Sequence, residues 1–155
     1  MSIPTVASPI ANLIKQYRDS GFTVIPLIPK GKTPAIPTWV EFQTHAPDDA
    51  LIAEWLERYW NNGYNIGILC GKVSGNLVVV DIDTNDAWDE CQRKWQQKRN
   101  EILTESTLVA STGKGHHVYL RIRNLPESLR LDGIDVQADG HYVVAPPSIH
   151  ANGFQ

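Results

Sequence analysis

The stretch Leu77-Val78-Val79-Val80-Asp81-Ile82-Asp83 decides the reading of this chain. Four aliphatic residues in a row, three of them β-branched, read as a buried strand. Strand side chains alternate, so Asp81 and Asp83 share a face with Leu77 and Val79. Residues two apart in a strand have Cα atoms about 6.5 to 7 Å apart, so both carboxylates can close on one divalent ion or bridge two. Sites that carry two metals hold them about 3.5 to 4 Å apart, a spacing such a pair can serve. Two acids at the end of an apolar strand are costly unless a cation or water meets them. The plain alternative is that they only lead into a helix capped at Thr84 or Asn85.

Upstream, Ser8 is a good N-cap and Pro9 suits the first helical position. Ile10, Leu13, Ile14 and Tyr17 then follow helical spacing up to a stop at Gly21. Residues 22–27 (FTVIPL) read as a strand with Pro26 near its end, and 29–37, with three prolines and Gly31, as a loop. Leu51, Ile52, Trp55, Leu56 and Tyr59 make the apolar face of a second helix starting near Asp48 and ending at Asn61-Asn62-Gly63. Strands over 66–70 and 77–82, separated by Gly71 and Ser74-Gly75-Asn76, are expected to form a hairpin. A third helix follows, with Trp88, Cys91 and Trp95 as its buried stripe and Arg93, Lys94, Lys98 and Arg99 on its solvated faces. Short strands are expected at 108–110, 117–122, 134–137 and 142–145, the last two joined in a hairpin by Ala138-Asp139-Gly140. Helices alternating with strands early and hairpins late imply a mixed α/β (α+β) domain.

At 155 residues, with 42% hydrophobic and 20% charged residues, the chain has the composition of one ordinary globular domain, 1–155. The longest aliphatic run is far short of the roughly 20 apolar residues that span a bilayer. The first residues, Met1-Ser2-Ile3-Pro4-Thr5, lack the basic and apolar regions of a secretory signal, so a cytoplasmic protein with no membrane contact is expected. The sequence stops at Asn152-Gly153-Phe154-Gln155 without a closing element and reads as cut short at its C-terminus. The net charge of −3 argues against coating nucleic acid by bulk charge. It leaves room for carboxylates that bind metal: three of them so neutralised would leave fourteen acids against fourteen bases. Cys70 and Cys91 can build neither a disulfide framework nor a zinc ribbon, and read as reduced thiols.

Several motifs fail on inspection. Gly31-Lys32-Thr33 lacks the earlier glycine of a P-loop, and in Thr112-Gly113-Lys114-Gly115 a glycine replaces the hydroxyl residue. The five histidines lack zinc spacing, and no serine sits in a G-x-S-x-G elbow. Two other segments carry more. In 111–121 (STGKGHHVYLR), alternation puts His117, Tyr119 and Arg121 on one face, with Val118, Leu120 and Ile122 toward the core. Beside a glycine turn, that face suits an anion such as triphosphate; an edge strand with a wetted outer face would look the same. In 133–148 (GIDVQADGHYVVAPPS), Asp135 lies on a polar strand face, while Asp139 belongs to turn chemistry and has no catalytic role.

Taken in order, these three segments resemble the bifunctional DNA primase/polymerase (Prim-Pol) branch of the archaeo-eukaryotic primase superfamily. Its motifs are an apolar strand ending in D-x-D/E, a glycine turn leading into an H-x-Y strand, and an apolar-Asp strand running into G-x-Y-V-V-A-P-P-S. Gly31-Lys32-x-Pro34, Trp39, Asn65-x-Gly67, Gly71 and Ser74-Gly75 agree as well, so the likeness covers about 13–153. It implies an RRM-like antiparallel sheet as catalytic core, at about 71–155, preceded by an α/β unit at about 1–70. It implies that Asp81, Asp83 and Asp135 bind two Mg²⁺ or Mn²⁺ and that His117 contacts the phosphates of a nucleoside triphosphate. Lys32, Lys114 and Arg121, with the hydroxyls of Ser111 and Thr112, are further candidates for phosphate. The partners implied are DNA template and primer, with a helicase of the same plasmid, phage or mobile element; the protein is expected to be a monomer without zinc. This chain departs from the pattern at Gly115, where serine is frequent, and at Gln137, where arginine is common. A non-catalytic RRM-like nucleic-acid-binding module and a metal-dependent nuclease remain the alternatives.

Overall fold

A computed structural model describes residues 7–97 and 108–153, so Lys98 and Arg99 lie outside it, as does the side chain of Trp95. The elements in chain order are α1 (Pro9–Asp19), β1 (Thr23–Leu27), α2 (Asp49–Arg58), β2 (Asn65–Leu69), β3 (Leu77–Ile82) and α3 (Asn85–Gln97). There follow β4 (Leu108–Ser111), β5 (His116–Arg121), β6 (Leu129–Leu131), β7 (Ile134–Gln137) and β8 (Tyr142–Ala145). The local signals account for the helices. The Ser8 hydroxyl accepts from the Ala11 N–H, Asp48 from Leu51 and Thr84 from Ala87, each satisfying a donor that the first helical turn leaves free. Gly21, at φ +81°, closes α1.

The strands form two antiparallel sheets, ordered β1-β2-β8 and β4-β5-β3-β7-β6, so the fold is α+β. Every residue of β1 and β2 is buried. Ile14 of α1, Ile52 and Trp55 of α2, Phe42 and Trp60 pack with this small sheet in one core. Leu77, Val79, Ala110 and Tyr119 of the large sheet join the same core. The rings of Phe42 and Trp55 meet edge-on at 5.3 Å, and those of Trp55 and Trp60 at 6.0 Å. Each fully buried aliphatic side chain contributes about 1.5–3 kcal/mol. On the other side of the large sheet the Trp88 ring of α3 stacks on His116 at 4.0 Å.

Two expected hairpins do not form. β2 and β3 lie in different sheets, with a bridge from Gly71 of their connection to Leu77, and β8 leaves β7 to pair with β2. The reason is edge occupancy: β2 has its two edges taken by β1 and β8, and β7 by β3 and β6. Both connections are therefore crossings between sheets, and they lie against each other. The Lys72 N–H donates to Asp139 Oδ1 at 2.8 Å, and the Cys70 N–H to the His141 carbonyl at 2.9 Å. A Cβ on Gly71, at φ +88°, would stand 2.8 Å from Asp139 Cα, so this crossing needs glycine. The sheet of the N-terminal part is thus completed by β8 from the far end of the chain.

The actual hairpins are β4–β5, through 112–115, and β6–β7, through Asp132-Gly133. β6 has no counterpart among the expected strands. Tyr119 is also a correction: its side chain is covered and belongs to the core, while His117 on the same face lines the cleft.

Candidate functional site

The register of the large sheet sets one row of side chains across all five strands. Ala110 lies opposite His117, His117 opposite Asp81, Asp81 opposite Asp135, and Asp135 opposite Arg130. Directly opposed residues of antiparallel strands share a face, with Cβ atoms about 4.5–5.5 Å apart, and like charges so placed repel. Here the two acids stand side by side with a potential cation on each flank. His117 Nε2 is 3.3 Å from Asp81 Oδ1, and Arg130 Nε is 3.5 Å from Asp135 Oδ1. The imidazole is buried, with Nδ1 unpartnered among the described residues. Asp83 lies just beyond the end of β3 and is exposed, its N–H donating to the Gly133 carbonyl at 2.9 Å.

The 112–115 turn rests on this strand end. A Cβ on Gly115 would stand 2.9 Å from the Ile82 carbonyl carbon and 3.2 Å from Asp83 Cα, so a side chain there would push the turn off the acids. The Thr112 hydroxyl accepts from the N–H groups of Lys114 and Gly115, at 3.3 and 2.9 Å, which shapes the turn in the manner of an ST-turn.

Around the row lies a cleft of about 480 Å³. It is lined by Asp81, Asp83, Asp135 and His117, and by Lys32, Ser111, Thr112 and Lys114, all of them expected site residues. Arg121 is the exception. Its guanidinium lies over the Phe22 ring at 5.1 Å and donates to the Ser20 carbonyl, away from the cleft. The basic residues of α3 are also engaged, since Glu90 binds Arg93 at 2.7 Å and Lys94 at 3.2 Å.

Arg130, Gln137, Tyr142, Ser148 and His150 line the cleft without having been read as site residues. Of these, Tyr142 and Ser148 hold the walls. The Tyr142 hydroxyl donates to the Lys32 carbonyl at 2.9 Å and its ring meets Trp39 edge-on at 5.0 Å, which fixes the lysine loop. Ser148 Oγ accepts from the Ile66 N–H at 2.8 Å. The buried Asn65 amide donates to the Gly31 and Ile149 carbonyls at 3.0 and 2.8 Å, tying the lysine loop to the last loop of the chain. Those contacts explain why 31–34, Asn65 and 146–148 belong to one pattern although they are far apart in sequence.

The donor set suits a hard divalent cation: three carboxylates lining one cleft, with an exposed approach at Asp83. Among the described residues no three His, Cys, Asp or Glu side chains are gathered closely enough to hold an ion as they stand. One oxygen of Asp81 is turned to His117 and one of Asp135 to Arg130, so a cation would compete with these partners for the carboxylates. Cys70 offers no ligand, because burial pushes its thiol up to about 12 and keeps it protonated. No helix among the described residues is long and apolar enough to cross a membrane.

A family model described as "Bifunctional DNA primase/polymerase, N-terminal" (Prim-Pol) matches residues 14–155. No curated protein matches the chain.

Proposed function

The chain belongs to the bifunctional DNA primase/polymerase (Prim-Pol) family, and from that premise we propose that it is a metal-dependent, template-directed nucleotidyltransferase of the replication of a plasmid, phage or mobile element. A primer 3′-hydroxyl, or that of an initiating nucleotide, attacks the α-phosphate of a nucleoside triphosphate. One P–O bond forms, the bond between the α-phosphorus and the bridging oxygen breaks, and pyrophosphate leaves. The observation that carries this reading is the row His117–Asp81–Asp135–Arg130, with Asp83 beside it, facing a cleft that also holds Lys32 and Lys114.

Asp81, Asp83 and Asp135 would hold two Mg²⁺ or Mn²⁺, whose chemistry at this place is to lower the pKa of the attacking hydroxyl and to neutralise charge on the leaving pyrophosphate. Lys32 and Lys114, carried by different loops of the cleft, attract the triphosphate as point charges. His117 orients the triphosphate, its ring held by burial beside Asp81. Ser111 and Thr112 present hydroxyls at the same rim. The partners on this reading are primer and template DNA and a helicase of the same replicon, with the domain acting as a monomer in the cytoplasm.

Incubation with a labelled primer-template, nucleoside triphosphates and Mn²⁺ tests the proposal. Extension of the primer is the expected result. Shortening of the labelled strand would replace the reading by a nuclease, in which water attacks, and binding without chemistry would leave a nucleic-acid-binding module.

A further inference from the structure

Arg130 stands one strand outside the acids, on β6, directly opposite Asp135. Its neighbours Leu129 and Leu131 point to the other face by strand alternation, so Arg130 alone of β6 lines the cleft. Its side chain is 86% exposed, against 21% for Asp135, and its Nε lies 3.5 Å from Asp135 Oδ1. The terminal amino groups have no hydrogen-bond partner among the described residues. An exposed ion pair of this kind adds little stability, so holding the sheet together does not account for an arginine at this position. A guanidinium carries five N–H donors in a planar fork that matches phosphate oxygens, and most of that fork is unused here.

Resting on the nucleotidyl-transfer reading, we propose that Arg130 binds the phosphates of the incoming nucleoside triphosphate, and that Asp135 holds it at the cleft until a divalent cation takes the carboxylate. A carboxylate that shares its charge with a divalent ion holds the guanidinium less strongly, even where its second oxygen stays in reach. The fork then turns to an incoming anion whose phosphates replace the weakened partner. Arg130 therefore opposes metal binding when metal is alone and favours it when triphosphate is present. The same coupling makes metal raise the affinity for triphosphate, because linkage between two binding sites is reciprocal.

The experiment compares the full chain with its Arg130→Ala and Arg130→Lys variants. Mn²⁺ is titrated alone, followed by electron paramagnetic resonance, and a non-hydrolysable nucleoside triphosphate is then titrated in saturating Mn²⁺ by calorimetry. In Arg130→Ala, Mn²⁺ alone should bind about two- to fivefold more tightly, since a competing surface ion pair is gone. The triphosphate should bind roughly tenfold or more weakly, through loss of charge-assisted hydrogen bonds. Arg130→Lys keeps the charge without the fork and should recover only part of that loss. Triphosphate affinity within twofold of wild type in Arg130→Ala, or weaker binding of Mn²⁺ alone, would overturn the assignment. A wild-type protein that binds neither Mn²⁺ nor triphosphate overturns the underlying nucleotidyl-transfer reading instead. Matching circular dichroism shows that the exposed substitution has left the fold intact.

Discussion

The two sheets differ in how far they open: of the small sheet only β8 reaches the cleft. In the small sheet β1 and β2 are buried at every residue, so nothing on them can meet a ligand except through the loops they anchor. In the large sheet β3 is buried except at Val80 and Asp81, β7 is half-buried throughout, and β6 is exposed. Continuous burial is what stabilises a sheet. Ionisable groups that must exchange protein partners for metal or nucleotide need an opening. On the function proposed above, the difference assigns stability chiefly to the small sheet with α1 and α2, and chemistry to the part-open row of the large one.

The strongest way to break this division is Asp81→Ala with Asp83→Ala. Nucleotide incorporation should fall to background, while the thermal midpoint stays equal or rises in metal-free buffer, because removing Asp81 relieves its repulsion with Asp135. Full primer extension by the double variant would remove both residues from the site. The converse substitution is Ile25→Ala in β1, at a side chain with 0% exposure. It should cost about 2–5 kcal/mol in urea unfolding, with extension per folded molecule unchanged. A smaller stability loss accompanied by lost activity would reverse the roles assigned to the two sheets.

His117→Ala sharpens the comparison within the acid row. Loss of a charge-assisted hydrogen bond to phosphate costs about 1.5–3 kcal/mol, so nucleotide affinity should drop roughly 10- to 150-fold, with a smaller change in Mn²⁺ affinity. Separate titrations decide it; metal affinity collapsing while nucleotide affinity holds would make His117 a partner of the ion. The smallest effect belongs to the joint between the sheets. Asp139→Ala removes the acceptor of the Lys72 N–H, a loss of about 0.5–1.5 kcal/mol in unfolding stability, with activity retained. Loss of activity at unchanged stability would show that Asp139 serves the chemistry.

Two Asp-Gly pairs show where reading by sequence stops. Asp132-Gly133 and Asp139-Gly140 both put glycine at positive φ, +70° and +80°. The first closes the β6–β7 hairpin, and the second starts a crossing to the other sheet. Nothing in either dipeptide distinguishes them, because turn chemistry sets a change of direction and not the strand found afterwards. Leu129-Arg130-Leu131 before the first pair did carry a period-2 signal, yet with three residues it is too short to stand out. Missing β6 meant missing Arg130. Arg121 failed differently: alternation placed it on the face of His117, but at the far end of β5, where Phe22 and Ser20 engage it.

By itself the sequence determined the helices and their caps, seven of the eight strands among the described residues, and the strand alternation that sets the face of Asp81. These depend on interactions between residues close in the chain, which leave a mark in spacing and residue type. Only the tertiary structure decided that Asp135 and His117 flank Asp81 on either side, that Arg130 follows Asp135, and that Asn65 ties Gly31 to Ile149. Each of these is a choice of neighbour between segments far apart in sequence. A strand has two edges, and which strands occupy them depends on the burial and pairing of the whole chain at once, so no local pattern records the choice.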